Sequence, residues 1–499
     1  MQKMILAIDQ GTTSSRAILF DKNGDTVAKT QVGFAQIYPQ PGWVEHDPMK
    51  ILSSQLSAVR KTLKAAKAAP GQIMAVGITN QRETTVVWER ETGRPITNAI
   101  VWQCRRTAEI CENLKARGLS DMVTQKTGLV IDPYFSGTKI RWILDNIPHA
   151  RQRAEKGDLL FGTVDSWLIW NLTNKKVRAT DVTNASRTML FDIDKLCWDE
   201  TLCRELQVPL AMLPEVKASS ADYGHIADLP GLKMLAGVPI CGVAGDQQAA
   251  LFGQACFAPG EAKNTYGTGC FLLMNTGTKR VHSQNRLLST VAHKIGDTVE
   301  YALEGSVFNA GSVIQWLRDE LGLIKSAPEI DILAASVKDT GGVVFVPAFT
   351  GLGAPHWDAY ARGALFGLTR GTRKEHIARA VLESIAHQVA DLVTAMQGDA
   401  GISLASLKID GGAAVSDVMM QFQADLLNTA VDRPKNIEST ALGAAFLAGL
   451  HCGFWKDRAA LAQCRTSERI FTPAMPQEER ARRMMLWNRA IARAENWIE

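Results

Sequence analysis

Short β-branched runs and helical apolar spacings alternate along this chain. Lys3–Ala7 and Ser15–Phe20 are runs of the first kind, separated by the turn residues Gly11-Thr12-Thr13-Ser14, and together they predict a β-hairpin. A second turn, Asp21-Lys22-Asn23-Gly24, leads into another short strand. Asp47-Pro48 has the form of a helix start: aspartate can cap free N–H groups, and proline fits the first helical position. Leu52, Leu56, Val59 and Leu63 follow at helical spacing, and Pro70-Gly71 stops the helix. Ile73–Thr79 is then a buried-strand run. Strand, helix and strand again predict α/β construction.

The same style returns further on. Val238–Val243 predicts a buried strand, and Gln247–Gln254 a helix rich in small residues. Asn264-Thr-Tyr-Gly-Thr-Gly269 is a Gly/Thr turn followed by the strand Cys270–Met274, and it echoes the opening Gly11-Thr12-Thr13. The echo suggests two related halves, which sets the expected domains at 1–253 and 254–499. In the second half Gly342–Pro347 and Leu407–Asp410 predict strands, and His376–Met396 a long amphipathic helix. Thr440–Leu450 predicts a helix carrying Ala441, Gly443, Ala444, Ala445, Ala448 and Gly449, small enough for another helix to cross closely. The tail 476–499 predicts a surface helix.

Composition narrows the class. The chain has 499 residues, too many for one compact core, with 46% hydrophobic and 21% charged residues, so two folded domains are expected rather than disorder. The 55 basic and 51 acidic residues nearly cancel, and no long single-sign run appears, which argues against a nucleic-acid partner. No apolar stretch approaches the roughly 18–20 residues of a membrane span, and the N-terminal apolar run is too short for a secretory signal. Nine cysteines without a CxxC pair imply reduced thiols, so a cytoplasmic location is expected.

Five strings could carry chemistry. Asp9-Gln-Gly-Thr-Thr-Ser-Ser-Arg16 places a carboxylate at a strand end, where it could hold a divalent cation, beside the hydroxyls of Thr12, Thr13 and Ser14 and the charge of Arg16, all suited to phosphate. Tyr266-Gly-Thr-Gly269 alone reads as a plain hairpin; paired with the first turn it suggests two phosphate clamps facing across a cleft. Asp410-Gly-Gly-Ala-Ala414 is either a tight turn or an open surface for a ring or phosphate. Arg82-Glu83, after a buried strand, is either a surface ion pair or a donor and acceptor for polyol hydroxyls. Asp246, after an apolar strand, is either a helix cap or a general base. The chain has no Gly-Lys dipeptide, so a Walker A loop is excluded.

Together these strings resemble the FGGY carbohydrate-kinase family, over Asp9–Arg16, Gly77–Thr84, Ile100–Arg106, Gly128–Gly137, Asp181–Leu190, Gly245–Gly253, Asn264–Gly277, Phe349–Gly371 and Thr440–Gly449. The resemblance implies two actin/hexokinase/Hsp70-like (ribonuclease H-like) α/β domains with an interdomain cleft, hinged near Ala249–Gly253 and Ala441–Gly449. It implies ATP-dependent phosphorylation of a small polyol, with glycerol as the expected substrate, ATP and Mg2+ as cofactors, and a homodimer or homotetramer. By the same resemblance Arg82, Glu83, Tyr134, Asp246 and Gln247 would hold the polyol between the apolar walls Trp102 and Phe271. Asp246 would be the base, and Asp9 would organise magnesium. Thr12, Thr13, Ser14 and Arg16 would meet the nucleotide phosphates in the first domain, and Thr268, Gly311, Gln315 and Gly412 would contact the nucleotide from the second. At the adenine site Ser416 stands where the family commonly has Asn. The family's Gly-Gly-x-Arg loop, used by some members to bind fructose 1,6-bisphosphate, should fall near 228–237, where this chain lacks the Arg. The expected rivals are a kinase of another sugar or polyol, and an Hsp70-like or actin-like ATPase sharing the two hairpins.

Overall fold

A computed structural model describes residues 2–498. The chain folds into two lobes, each built on a mixed sheet. The first sheet runs in the order Ile240–Gly245, Ile73–Asn80, Met4–Gln10, Ser14–Phe20, Thr26–Gly33. Its first three strands are parallel and its last three form the antiparallel meander expected from the opening turns. The second sheet contains the same five-strand order: Val431–Pro434, Ser406–Asp410, Glu261–Tyr266, Cys270–Gly277, Thr298–Val307. The pairings again pass from parallel to antiparallel at the third strand. Thus the faint echo between the two Gly/Thr turns reflects a repeated topology, with Leu288–Ile295 and Ser467–Phe471 added at the edges of the second copy.

Every residue of Met4–Gln10 is buried, as for a strand covered on both faces. Leu6 and Ile8 point into one core, with Ile51, Ala58 and Val59 of helix Pro48–Ala65. Ile5 and Ala7 point into the other, with Ala441, Ala445 and Phe446 of helix Ser439–His451. Asp47 caps the first of these helices, accepting from the Met49 and Lys50 N–H groups. Of the apolar stripe read from the sequence, Val59 and Leu63 are buried while Leu52 and Leu56 are only half-buried. Polar residues take the inner positions because each bonds the sheet: Ser54 Oγ meets Ser15 Oγ at 2.9 Å, Gln55 donates to the Arg16 carbonyl, and Thr62 donates to the Ala17 carbonyl.

Helix Ser439–His451 lies late in the chain yet packs on the first sheet and crosses helix Asp246–Gly253. Glycines set this approach. A Cβ on Gly443 would lie 1.8 Å from the Ala249 carbonyl oxygen, and one on Gly253 would lie 2.0 Å from that of Ser439. Gly77 and Gly242 of the sheet are equally tight against the same helix. Part of the stretch 81–239, including Trp88, Trp167 and Tyr223, packs into the first sheet's core, and the rest forms a further body around its own core, which includes Cys104, Phe135, Ile140 and Leu190. The expected tail helix is Gln477–Ala494; it lies at the surface, but Trp487, Ala490 and Ile491 bury one face against Val346 and Ala348.

All nine cysteines are free. Among the described residues no helix is long and apolar enough to cross a membrane, and no cluster of three or more His, Cys, Asp or Glu is arranged to hold a metal ion.

Gly443→Ala is expected to force the two crossing helices apart and to destabilise the protein by about 2–4 kcal/mol, within the range for overpacking at a rigid backbone contact. Chemical denaturation against the parent checks this.

Candidate active site

The parallel strands of the first sheet end together. Asp9 pairs with Thr79, and Thr79 with Ala244, so Asp9 and Asp246 emerge at the same sheet end. Two strand spacings put them about 10 Å apart. Asp9 is 2% exposed, and burial raises its pKa against the pull of Arg16. Its Oδ2 lies 2.5 Å from an Arg16 amino group, yet no donor meets that oxygen in hydrogen-bonding geometry. A buried carboxylate oxygen left so is suited to a hard divalent cation that keeps several waters, and Asp9 therefore fits the metal role.

Arg16 spans Asp9 and Glu438, with its other amino group 3.0 Å from the Glu438 carboxylate. Of the three turn hydroxyls, Thr12 Oγ1 accepts from the Trp102 indole at 3.0 Å and Ser14 Oγ accepts from Gln31. Thr13 is exposed at the tip of the turn.

Arg82 and Glu83 are not a surface pair. Both are buried, at 2% and 1% exposure. Glu83 takes a left-handed backbone conformation, φ 60°, which is strained for a residue with a side chain. Its carbonyl is pinned by donors from Thr85, Ser136 and Lys139, which offset the strain and aim the carboxylate inward. Arg82 makes a two-pronged contact with Glu304, at 2.6 and 3.0 Å. It also donates to Gln248 Oε1 at 3.1 Å and to the Tyr134 hydroxyl at 3.3 Å. Its Nε faces Asp246 Oδ1 at 3.2 Å and Glu83 Oε1 at 3.6 Å.

Arg187 closes the array, donating to Glu83 at 2.6 Å and to Glu304 at 2.9 Å. It also lies over the rings of Tyr134 and Phe135. Burial works against the Glu304 charge, but Arg187 and Arg82 override it and hold its pKa at about 2. Burial raises the pKa of Glu83 against the opposing pull of Arg82 and Arg187.

Asp246 opens helix Asp246–Gly253, but the cap position is Gly245, so the capping alternative is not what is observed. Its carboxylate accepts from the Gln247 N–H at 2.8 Å and keeps a third of its surface open to the crevice. Burial raises its pKa, while Arg82 and then Lys263 lower it. Gln247 Oε1 accepts from Lys263. Trp102 meets Tyr134 edge-on at 5.7 Å and Phe271 at 6.5 Å, so the apolar walls also converge from both lobes.

In the second lobe the Gly267–Gly269 turn packs beneath helix Gly311–Asp319: the Gly311 N–H donates to the Gly267 carbonyl, and the Ala310 and Ser312 N–H groups to that of Thr268. Gln315 is exposed one turn along the same helix. Asp410 pairs with Thr265, which brings Gly411 and Gly412 to the same edge. Gly411 has φ 93°, and a Cβ there would lie 2.5 Å from the Tyr266 carbonyl oxygen, so the tight-turn reading holds; Gly412 faces open space. Ser416 is different. Its hydroxyl donates to Asp331 at 2.5 Å and accepts from the Met419 N–H as a helix cap, and only 3% of the residue is exposed.

Sequence reasoning missed Arg187, Glu304, Lys263 and Glu438. The available signal for Glu304 and Lys263 was a charge within a strand run, Tyr301-Ala-Leu-Glu304 and Lys263-Asn-Thr-Tyr266.

Two lobes of repeated topology, joined by crossing helices and facing each other across a charged crevice, define a sugar-kinase type of actin-like ATPase fold. Residues 4–253 match the N-terminal domain of the FGGY family of carbohydrate kinases and residues 262–452 match its C-terminal domain; the chain belongs to this family. It is 58% identical over 501 residues to the glycerol kinase of Alkaliphilus oremlandii, covering 100% of this chain and 99% of the relative. It is 57% identical over 496 residues to glycerol kinase 2 of Thermotoga maritima, covering 99% of each. Among solved structures, Plasmodium falciparum glycerol kinase with ADP superposes with a TM-score of 0.95 at 39% identity, covering 99% of this chain and 98% of that one. The xylulose kinase of Lactobacillus acidophilus shares the fold, with a TM-score of 0.86 at 24% identity over 97% of this chain and 96% of that one.

Glu304→Gln leaves two buried guanidinium groups short of a countercharge and is expected to destabilise the protein by about 3–5 kcal/mol at neutral pH. Because the folded-state pKa of Glu304 is depressed to about 2, its stabilisation is complete above the unfolded carboxylate pKa and is lost as pH falls from there through the folded-state value. The stability gap between parent and variant, measured by denaturation at several pH values, should therefore narrow in acid.

Proposed function

We propose that this chain catalyses transfer of the γ-phosphoryl group of ATP to glycerol, giving sn-glycerol 3-phosphate and ADP. The observation that carries the reading is the group of buried Arg82 and Glu83 with half-buried Tyr134 and Asp246, beside the rings of Trp102 and Phe271 and at the same sheet end as Asp9. Its mix of donors and acceptors suits a short neutral polyol. Full-length relatives at 57–58% identity that are named glycerol kinase support the substrate, and the ADP-bound Plasmodium structure supports the nucleotide.

Arg82 has five N–H groups and every one faces an acceptor, so a polyol must take over one of the longer contacts, to Tyr134 at 3.3 Å or to Asp246 and Glu83 on the Nε side. A terminal hydroxyl near Asp246 gives up its proton to that carboxylate as its oxygen bonds to the γ-phosphorus. The bond from that phosphorus to the bridging oxygen breaks, and ADP leaves with the electron pair. The two Gly/Thr turns hold the phosphate chain, with Thr13 and the turn N–H groups on one side and Thr268 and Gly311 on the other. Mg2+ held by Asp9 would neutralise charge on the phosphate oxygens. Catalysis rests on positioning and charge neutralisation, with meeting of the lobes excluding water that would otherwise take the phosphoryl group.

ADP release should depend on glycerol, and a panel of polyols and sugars should rank glycerol first; ATP hydrolysis indifferent to any polyol would defeat the proposal. Asp246→Asn is expected to lower kcat ~10²-fold or more while ATP binding persists, as for a lost general base. Steady-state kinetics and nucleotide titration of the variant check this.

A further inference from the structure

Lys263 has no part in the scheme above, yet it is a fully buried cation in the crevice wall. It sits on strand Glu261–Tyr266 of the second lobe. Its Nζ donates to Gln247 Oε1, to Thr265 Oγ1 at 3.1 Å and to the Phe271 carbonyl at 3.2 Å. Three N–H groups meet three acceptors, so the pocket is built for the ammonium form. The charged groups facing it are Asp410 from the neighbouring strand, Asp246 from the first lobe's helix, Arg82, and Glu304 from strand Thr298–Val307. Burying an ammonium is unfavourable unless it is matched in this way, and an apolar side chain would fill the same space without that demand.

We propose that Lys263 is a positioning residue for phosphoryl transfer: it fixes the Gln247 amide with its NH2 end toward the polyol and keeps Asp246 ionised. This rests on the polyol and base roles proposed for Gln247 and Asp246. An ammonium can only donate, so Gln247 must turn its oxygen to Lys263, which leaves the amide N–H groups for a substrate hydroxyl. Without that partner the amide can rotate and present either end. At Asp246 burial favours the neutral acid, which cannot accept a proton; the charges of Arg82 and then Lys263 oppose it, and Asp9 adds to the burial effect. The Arg82 charge is already matched by Glu304 through two hydrogen bonds. Lys263 comes from the opposite lobe, so its help reaches Asp246 only where the two lobes meet.

The lysine also carries a pH signature. Burial lowers its pKa to about 8, against the pull of Asp410 and Asp246. Its hold on Gln247 should therefore loosen on the alkaline side, whereas an arginine stays charged.

The test is kcat and glycerol KM measured from mildly acid to alkaline pH for the parent, Lys263→Arg, Lys263→Met and Asp246→Asn. The parent is expected to lose kcat/KM on the alkaline side with a midpoint near 8, and Lys263→Arg to lack that fall. Lys263→Met should move the acid-side midpoint up by ~0.5–1 pH unit, as removal of a nearby opposite charge requires. It should raise glycerol KM, and in combination with Gln247→Ala the KM effects should fall short of the product of the single effects. Lys263→Gln serves in place of Lys263→Met should the latter fail to fold. An acid-side midpoint unmoved in the lysine variant, or KM effects that multiply independently, overturns the positioning role alone. If Asp246→Asn retains the parent's kcat and acid-side limb, the base assignment itself fails and this inference falls with it.

Discussion

Two guanidinium groups and two carboxylates lie buried together beneath the crevice: Arg82 and Glu83 at a strand end of the first lobe, Arg187 from the inserted body, and Glu304 from the second lobe. No member can be removed without leaving an uncompensated charge in a place with little water, so each constrains the other three. The array also ties the lobes, because Glu304 is the only one of the four that belongs to the second sheet. Arg82 is thereby held before any ligand arrives. Its contacts to Glu304 are short, while those toward Tyr134, Asp246 and Glu83 are longer and can be exchanged for a hydroxyl. Counting Asp246 and Lys263, three acids face three cations, and a pocket so balanced suits an uncharged polyol better than an acid or an amine.

Much of the fold was legible because local signals and tertiary structure agree. The opening hairpin, the Asp47-Pro48 helix start, the strand before Asp246 and the small-residue helix near 440–450 all follow from patterns that operate over a few residues. The small residues of that last helix announced a close crossing, and Gly443 against Ala249 is that crossing. What the pattern could not reveal was its partner sheet, whose strands Met4–Gln10, Ile73–Asn80 and Ile240–Gly245 all lie far earlier in the chain. The apolar stripe of helix Pro48–Ala65 marked only part of its buried face for a related reason: Ser54, Gln55 and Thr62 are inward because each bonds the adjacent strand, and side-chain hydrogen bonding across elements leaves no periodic trace.

The site divides along the same line. Asp9, Arg82, Glu83 and Asp246 could be suspected because each follows a recognisable strand, and the aromatic walls follow from the family resemblance. Arg187, Glu304 and Lys263 act through partners 104, 222 and 16 residues away, and no spacing rule spans such separations. Ser416 is an instructive case. Its hydroxyl is committed to Asp331 and to the cap of helix Asp417–Leu427, so the residue has a structural task at the edge of the second lobe.

The electrostatic layout explains why a phosphotransferase would draw its groups from both lobes. Burial raises the pKa of Asp9, Glu83 and Asp246, which disfavours the ionised forms that cation binding and proton acceptance need. Each carboxylate is opposed by a different set of cations, with Arg82 shared by two of them: Asp9 by Arg16, Glu83 by Arg82 and Arg187, and Asp246 by Arg82 and Lys263. Only the third of these balances depends on a charge from the second lobe, and Asp246 is the group assigned to accept the proton. The base proposed at Asp246, its charge completed by the opposite lobe, is best held in its ionised, proton-accepting form when the crevice is shut, which is also when water is excluded. Coupling ionisation to lobe contact in this way favours transfer to a bound alcohol over hydrolysis in an open cleft.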